Sequence, residues 1–312
     1  METSNRQITF TPDLFEPIER SAEEAERISG PPVSFWSDAW RRLKRNRVAL
    51  AAGGVILFVL TLAVAGPWLT PYTPFEQVLE RQYRPASLSG FWFGTDQFGR
   101  SMFDRVWVGT RVSLYIAALV TIMDIGIGMS YGAISGYYGG RVDNVMQRIV
   151  EILVGIPILV VAVLIMLILK PGILSLTIAI GLTGWTSSAR LIRGQVLRLK
   201  EQEFFLASRS LGAGTFRLIT KHLIPNVFYI VIITLMYTVP LAVFFEAFLS
   251  FIGLGIQPPN ASLGALINDG AQQMQQFPHL LIYPAAVLVL ITISFRLLGD
   301  GLRDALDPRM RK

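Results

Sequence analysis

The sequence contains no cysteine and only two histidines among its 312 residues. The absence of cysteine excludes disulfide scaffolds, thiol catalysis and thiolate metal sites. Charged residues are also scarce, at 16% of the chain, against roughly 25% in an ordinary soluble domain. Hydrophobic residues make up 52%, more than a soluble chain of this length could bury in one core. These proportions indicate an integral membrane protein.

The sequence also lacks the patterns of common enzyme sites. It contains no Walker A loop for nucleotide phosphates, no Ser–His–acid set and no His–Glu–His metal spacing. We therefore predict that this chain has no catalytic residues, no metal site and no cofactor of its own, and that it is not an enzyme.

Six stretches are apolar and about as long as a membrane-spanning helix, which needs roughly 20 residues. They cover residues 48–69, 112–135, 150–169, 171–190, 226–246 and 280–298. The segment Lys170-Pro171-Gly172 leaves room only for a tight turn, so the third and fourth stretches should form a helical hairpin. We expect an all-α fold, a polytopic membrane helical bundle with six transmembrane helices.

The net charge of +6 is compatible with nucleic-acid binding or with basic residues gathered on the cytoplasmic side of a membrane protein. The Lys and Arg residues concentrate in 41–47, 190–225 and 309–312, whereas 251–279 has none. This distribution places both termini and 190–225 in the cytoplasm, and 251–279 outside. The charge therefore indicates a topology in a lipid bilayer and no nucleic-acid partner.

The chain divides into three predicted parts. Residues 1–33 are polar and read as a cytoplasmic N-terminal tail. Residues 34–47 combine aromatic with five basic residues, which is typical of an amphipathic segment at the inner membrane face or of a plain basic flank to the first span. Residues 48–312 form the transmembrane domain, with an external loop at 70–106 and a cytoplasmic loop at 199–225.

Four charged residues lie within predicted spans, where a charge is costly in hydrocarbon. Glu151 and Arg296 are near span ends, where a side chain can reach the interface. Asp124 is central in the second span, and Glu246 is at the outer end of the fifth. Each of these last two has a functional interpretation, as a residue of a polar translocation path, and a structural one, as a buried group held inside the bundle.

The cytoplasmic segment 199–225, the coupling loop, has the pattern of two short helices broken at Leu211-Gly212-Ala213-Gly214. A helix–Gly–helix element of this kind suits docking into a groove of a partner. The alternative is a solvated loop.

The coupling loop resembles the motif Glu-Ala-Ala-x3-Gly-x9-Ile-x-Leu-Pro of ATP-binding-cassette importer permeases. Gly212 and Pro225 match the glycine and the proline, whereas Leu206 replaces the glutamate. The resemblance implies docking of Leu206–His222 on a separate ATPase. The residues assigned to this coupling are Glu203, Leu206, Ala207, Ser208, Gly212, Ala213, Gly214, His222 and Pro225.

Residues 94–100, the external signature, resemble the Gly-Thr-Asp-x-x-Gly-Arg pattern of the peptide/nickel permease group. Segments 136–143, 189–194, 248–255 and 299–308 are similar to further motifs of that group. Together they resemble the C-type permease subunit of oligopeptide and dipeptide importers. The matching residues of the external signature are Gly94, Thr95, Asp96, Gly99 and Arg100.

This resemblance implies a permease subunit in a bacterial inner membrane that forms half of a translocation path for peptides. The implied partners are a second homologous permease subunit, two ATPase subunits that bind ATP and Mg, and an extracytoplasmic substrate-binding protein. The alternative is an ion-coupled secondary transporter or a channel that acts without an ATPase. The sequence leaves open whether the cargo is an oligopeptide, a dipeptide, nickel or another chelate.

Overall fold

The computed structural model describes residues 35–88 and 90–306. The chain divides into two units, Met1–Asp38 and Ala39–Lys312, and apart from residues 35–38 the features below belong to the second. The predicted tail at 1–33 and the basic residues at 309–312 lie outside the described residues.

Helices account for most of the described chain, and no strand occurs among residues 35–88 and 90–306. The all-α prediction is confirmed for this part of the chain. Two short 3-10 turns, Gly66–Trp68 and Leu79–Arg81, lie in the long segment that connects the second helix to the third. The helices are α1 Phe35–Arg45, α2 Arg47–Ala65, α3 Met102–Tyr138, α4 Gly140–Val154, α5 Ile158–Leu169, α6 Ile173–Lys200, α7 Glu203–Ser210, α8 Thr215–Phe251, α9 Leu263–Gln272 and α10 His279–Leu306.

Four described helices are long and apolar enough to cross a membrane: α2 with its 3-10 extension, α3, α8 and α10. The bent pair α4–α5 raises the number to five if it is counted as one span. Helix α6 covers the predicted fourth span but is less apolar, since it carries Gly, Ser and Thr residues and its second half contains Arg190, Arg193, Arg198 and Lys200. The count of six spans therefore stays a prediction.

The third predicted span, 150–169, is not one continuous helix, and its crossing of the membrane stays a prediction. Helix α4 ends at Val154, α5 begins at Ile158, and the two axes differ by 82°. Pro157 explains the break because it has no N–H to continue a helix and disfavours the helical conformation of Ile156 before it. The 12 residues of α5 extend only about 18 Å, less than the thickness of the hydrocarbon core.

Helices α3 and α6 are packed along most of their lengths. Gly128, Gly132 and Gly136 recur every fourth residue on α3, and a Cβ atom at any of them would crowd α6. Small residues at this spacing let two helix backbones approach closely. The result is a closely packed pair of helices, with Asp124 on α3 one turn before Gly128.

Buried apolar side chains form a main core cluster and a second cluster near the coupling loop. The main cluster draws on α2, α3, α5, α6, α8, α9 and α10, with Trp107 and Leu249 among its members. The second cluster surrounds Phe205 of α7 and includes Val196 of α6 and Leu218 of α8. The coupling loop is thus attached to the bundle through its own apolar anchor.

Candidate functional site

A cavity of about 610 Å³ lies between α3, α6, α8 and the break between α4 and α5. Apolar surface makes up most of its wall, and Asp124 is the one charged residue among its described lining residues. Residues on both sides of the break between α4 and α5, among them Val154 and Ile158, line this cavity. Its hydroxyl-bearing residues are Thr183, Thr186, Ser187, Ser188, Thr234, Tyr237 and Thr238.

Asp124 is almost fully buried, with 2% of its surface exposed. Its Oδ2 atom accepts a hydrogen bond from Thr238 Oγ1 at 2.8 Å. Its Oδ1 atom has no hydrogen-bond partner within the described part of the chain, although the side chain of Ser188 lies beside the carboxylate. A buried acceptor left without a donor costs roughly 1–3 kcal/mol, and more when it is charged. The hydroxyls of Thr238 and Ser188 are the neighbours that can offset this cost, and no basic residue is among the described lining residues.

Glu246 is also buried, but it is not among the residues that line this cavity. Its Oε2 atom accepts from Ser113 Oγ at 2.6 Å, and its Oε1 atom accepts from Ser250 Oγ at 2.7 Å. Ser113 Oγ accepts in turn from the backbone N–H of Leu263 at 3.1 Å. The carboxylate therefore ties α3 and α8 to the beginning of α9, and the structure brings only Asp124 to the cavity.

The external signature folds into a compact buried loop. Asp96 Oδ1 accepts from the backbone N–H groups of Phe98 and Arg100 at 2.9 and 3.0 Å. Arg100 Nε donates to Asp96 Oδ2 at 2.7 Å, and Arg105 lies 3.4 Å from the same oxygen. Thr95 Oγ1 donates to the carbonyl of Arg81 and accepts from the N–H of Arg84. These residues hold the predicted external loop in shape.

Gly94 and Gly99 are the turning points of this loop, with φ of +77° and +71°. A Cβ atom on Gly99 would overlap the carbonyl oxygen of Val78. A side chain is thus excluded at Gly99 both by the left-handed conformation and by the approach of the neighbouring backbone.

Asp269 of α9 joins this charged cluster, and no local pattern points to it because α9 is remote from the signature in the chain. Burial raises the pKa of the Asp269 carboxyl, and the charges of Arg105 and Arg100 act against that shift. The external signature is therefore a link between the predicted external loop and α9.

The coupling loop contains α7, a break at Leu211–Gly214 and the beginning of α8. Phe205 is 1% exposed and anchors α7, whereas Leu211 and Phe216 are 89% and 81% exposed. Helix α7 has eight residues and would be marginal alone, so the Phe205 anchor supplies its stability. Gly212 turns the chain with φ of +80°.

Leu206, Ala207, Gly214 and Pro225 are exposed, and Glu203 lies exposed in the first turn of α7. Ser208, Ala213 and His222 are half-buried. Most of the residues assigned to coupling thus share one accessible element. The two histidines, His222 and His279, belong to different elements, α8 and α10.

An ion pair between Asp143 of α4 and Arg193 of α6 lies close to the coupling loop. Asp143 also accepts a hydrogen bond from Ser135 of α3. Lys200 Nζ donates to the carbonyls of Gly136 and Tyr137 at 3.1 and 2.7 Å. These residues fall inside or beside the segments 136–143 and 189–194, but their pairing could not be read from either segment alone.

Metal binding finds no support in the geometry. No group of three or more His, Asp or Glu residues is placed to hold a metal ion within residues 35–88 and 90–306.

Comparison with known proteins identifies the family. Residues 128–312 match the family described as "Binding-protein-dependent transport system inner membrane component". The chain belongs to this family. Residues 34–86 match "N-terminal TM domain of oligopeptide transport permease C", so the two matches cover most of the chain.

Named relatives are similar over most of their own length. The dipeptide transport system permease protein DppC of Bacillus subtilis (strain 168) is 45% identical over 93% of this chain and 90% of that protein. The oligopeptide transport system permease protein OppC of the same organism is 42% identical over 96% of this chain and 98% of that protein. OppC of Escherichia coli (strain K12) is 39% identical over 92% and 95%. The resemblance to C-type permease subunits is confirmed.

Proposed function

We propose that this chain forms half of the translocation path of an ATP-driven peptide importer and couples to a separate ATPase through Leu206–His222. The named relatives, which are dipeptide and oligopeptide permeases, support peptides as the cargo. The observation that carries the coupling is the apolar surface that the coupling loop exposes away from its Phe205 anchor.

Exposed apolar residues concentrate at the turn of the coupling loop. Leu206 is half-exposed on α7, while Leu211 and Phe216 flank Gly212 and are nearly fully exposed. A cluster of large apolar side chains in a segment predicted to be cytoplasmic is unfavourable in water and marks an interaction site. A groove on an ATPase subunit would cover this surface.

The coupling loop is also linked to the long helices, so a movement of the loop would be transmitted. Tyr137 Oη donates to Thr215 Oγ1 at 3.1 Å, and Lys200 holds the end of α3. The Asp143–Arg193 pair joins α4 to α6. Closure of an ATPase dimer on bound ATP would then move these helices as a rigid body.

The assembly that follows contains this chain, a second homologous permease subunit, two ATPase subunits that bind ATP and Mg, and an extracytoplasmic substrate-binding protein above 70–106. The chain would cross a bacterial inner membrane six times, with both termini in the cytoplasm. No catalytic step is assigned to this chain, because ATP hydrolysis belongs to the partner ATPases.

Reconstitution of the complex in proteoliposomes tests the proposal. Leu211→Ser and Phe216→Ser should lose co-purification of the ATPase and ATP-dependent peptide uptake, because they remove the exposed apolar contacts. Leu88→Ser is the control for co-purification, since Leu88 is 96% exposed but lies in the predicted external loop, so the ATPase should still co-purify with this variant. Peptide uptake driven by an ion gradient without any ATPase would contradict the proposal and favour a secondary transporter.

A further inference from the structure

We propose that the cavity beside Asp124 is a transit site that binds an organic ammonium group of the cargo, either the α-ammonium of a peptide or a lysine side chain. This inference rests on the proposed function, in which the cargo passes through this chain. It goes further because it assigns a recognised chemical group to a particular carboxylate.

The first argument for a bound cation is the charge of the residues that line the cavity. Asp124 is the one charged residue among the described lining residues, and none of these residues is basic. Within the described part of the chain, the carboxylate has only hydroxyl groups beside it, that of Thr238 on Oδ2 and that of Ser188, and its Oδ1 atom has no hydrogen bond of ordinary geometry. A buried carboxylate without a counter-charge is unfavourable, so a cation supplied from outside the chain would complete the site.

The surrounding hydroxyls select the kind of cation. An ammonium group has three N–H donors, and Asp124 lies beside the hydroxyl oxygens of Thr238 and Ser188. A Ca²⁺ ion takes six to eight oxygen ligands, and a Mg²⁺ ion that is held by one or two carboxylates keeps several of its waters, whereas the described wall offers a single carboxylate in mostly apolar surroundings. An organic ammonium therefore fits these groups better than a metal ion.

The size and the apolar wall fit the rest of such a cargo. The volume of about 610 Å³ falls within the range of roughly 300–1,000 Å³ that is typical of small-ligand sites. Aliphatic residues such as Ile158 and Leu241 line most of the wall and make no hydrogen bonds that would select one side chain. The site would hold a cargo by its charge and accept many side chains.

The absence of cysteine from the chain permits a direct test. Ser187 is exposed and lines the cavity, so Ser187→Cys creates a single reporter thiol in the assembled complex. After each rate is divided by the rate of the same reagent with a free thiol in solution, labelling by a cationic methanethiosulfonate should exceed labelling by an anionic one by roughly tenfold, because Asp124 attracts the cation. Mass spectrometry of this chain measures both rates, and the cysteine-free chain gives the background.

Two further variants test whether Asp124 causes the preference for the cationic reagent. Asp124→Asn in the Ser187→Cys chain should abolish the preference for the cationic reagent. Asp304→Asn removes a charge from an exposed position of α10 and should leave it unchanged. An unchanged preference in Asp124→Asn, or none in the parent chain, would overturn the proposal.

Protection by peptides identifies the bound group without altering Asp124. Tri-alanine at millimolar concentration should slow labelling of the reporter thiol, and N-acetylated tri-alanine amide should not. Protection by an N-acetylated peptide that contains lysine would assign the lysine ammonium as a second source. Equal protection by all peptides, or protection by sodium ions alone, would overturn the proposal.

Failure of the proposed function would be seen separately. The labelling experiment needs neither ATP nor transport, whereas the proposed function depends on ATP-dependent uptake by the unmodified complex. A complex that transports peptides but shows no charge preference at the reporter thiol contradicts the ammonium site alone.

Discussion

Gly212 turns the coupling loop with φ of +80°, a conformation that glycine adopts readily and a β-branched residue does not. No neighbouring atom lies within 4 Å of a Cβ built at this position, so the restriction comes from the backbone alone. Gly212→Val should abolish peptide uptake and its coupling to ATP hydrolysis, while the amount of protein in the membrane stays the same. Uptake in vesicles and quantitative blotting measure the two quantities.

Gly214 provides the matched control for Gly212. It also has open space around its Cβ position, but its φ is −69°, which valine tolerates. Gly214→Val should therefore keep the turn and lose less uptake than Gly212→Val, with any loss reporting the contact of Gly214 with the ATPase. Normal uptake by Gly212→Val, or an equal loss in both variants, would show that the turn at Gly212 is not required for coupling.

For single residues, the sequence shows where a charged side chain interrupts an apolar stretch, but it does not show which groups surround that side chain in the fold. Asp124 and Glu246 both interrupt apolar stretches, so both were predicted as residues of a path or as buried structural groups. Glu246 is held by Ser113 from α3 and lies beside the beginning of α9, and hydroxyls so remote in the chain give no local signal. Only the packing of the helices shows that both carboxylate oxygens of Glu246 accept hydrogen bonds, whereas Oδ1 of Asp124 has no hydrogen bond of ordinary geometry.

At the scale of helices, the Asp143–Arg193 pair joins α4 to α6 beside the coupling loop. Its side chains are 10% and 30% exposed, so solvent screens the pair in part. A double-mutant cycle with Asp143→Asn and Arg193→Gln should give a coupling energy of about 1 kcal/mol in the free energy of unfolding. Denaturant titration in mixed micelles measures this energy.

Arg148 and Glu151 form a control pair within α4, with side chains 78% and 56% exposed. The same cycle with Arg148→Gln and Glu151→Gln should give a coupling energy near zero, because an exposed pair contributes little. Equal coupling energies for the two pairs would contradict a special role of Asp143 and Arg193 in joining α4 to α6.

The existence of most long helices could be predicted from hydropathy, whereas the break between α4 and α5 was missed. Residues 150–169 are apolar on both sides of the break, and hydropathy does not register a change of direction. Pro157 was the available signal, since proline restricts the residue before it. Prolines at 240 and 284 lie inside α8 and α10 without ending them, so proline alone does not predict where a helix breaks.

For the whole molecule, the number of spans depends on where the hairpin of α5 and α6 lies. Four spans, α2, α3, α8 and α10, already place both ends of the chain on one side. Six spans do the same, so the positive-inside pattern agrees with both arrangements. The turn at Lys170 distinguishes them, because it is external with six spans and is not external if α4–α6 stay on the cytoplasmic side.

We predict that Lys170→Cys is labelled from outside intact cells by a membrane-impermeant maleimide. The chain contains no other cysteine, and Lys170 is exposed at the turn between α5 and α6. Ala86→Cys and Gln275→Cys, in the two segments predicted to be external, should be labelled in the same way. Ser210→Cys, in the coupling loop, should react only after the membrane is permeabilised.

The controls separate an error in orientation from an error in the number of spans. If Ala86→Cys reacted only after permeabilisation and Ser210→Cys reacted in intact cells, the orientation inferred from the basic residues would be wrong. If those two behaved as expected and Lys170→Cys reacted only after permeabilisation, α4–α6 would be a cytoplasmic or re-entrant group and the chain would have four spans. External labelling at Lys170 requires that the chain crosses the membrane twice between Tyr138 and the coupling loop. The bent pair α4–α5 would then be one crossing despite the break at Pro157, and α6 would be the other despite its charged residues.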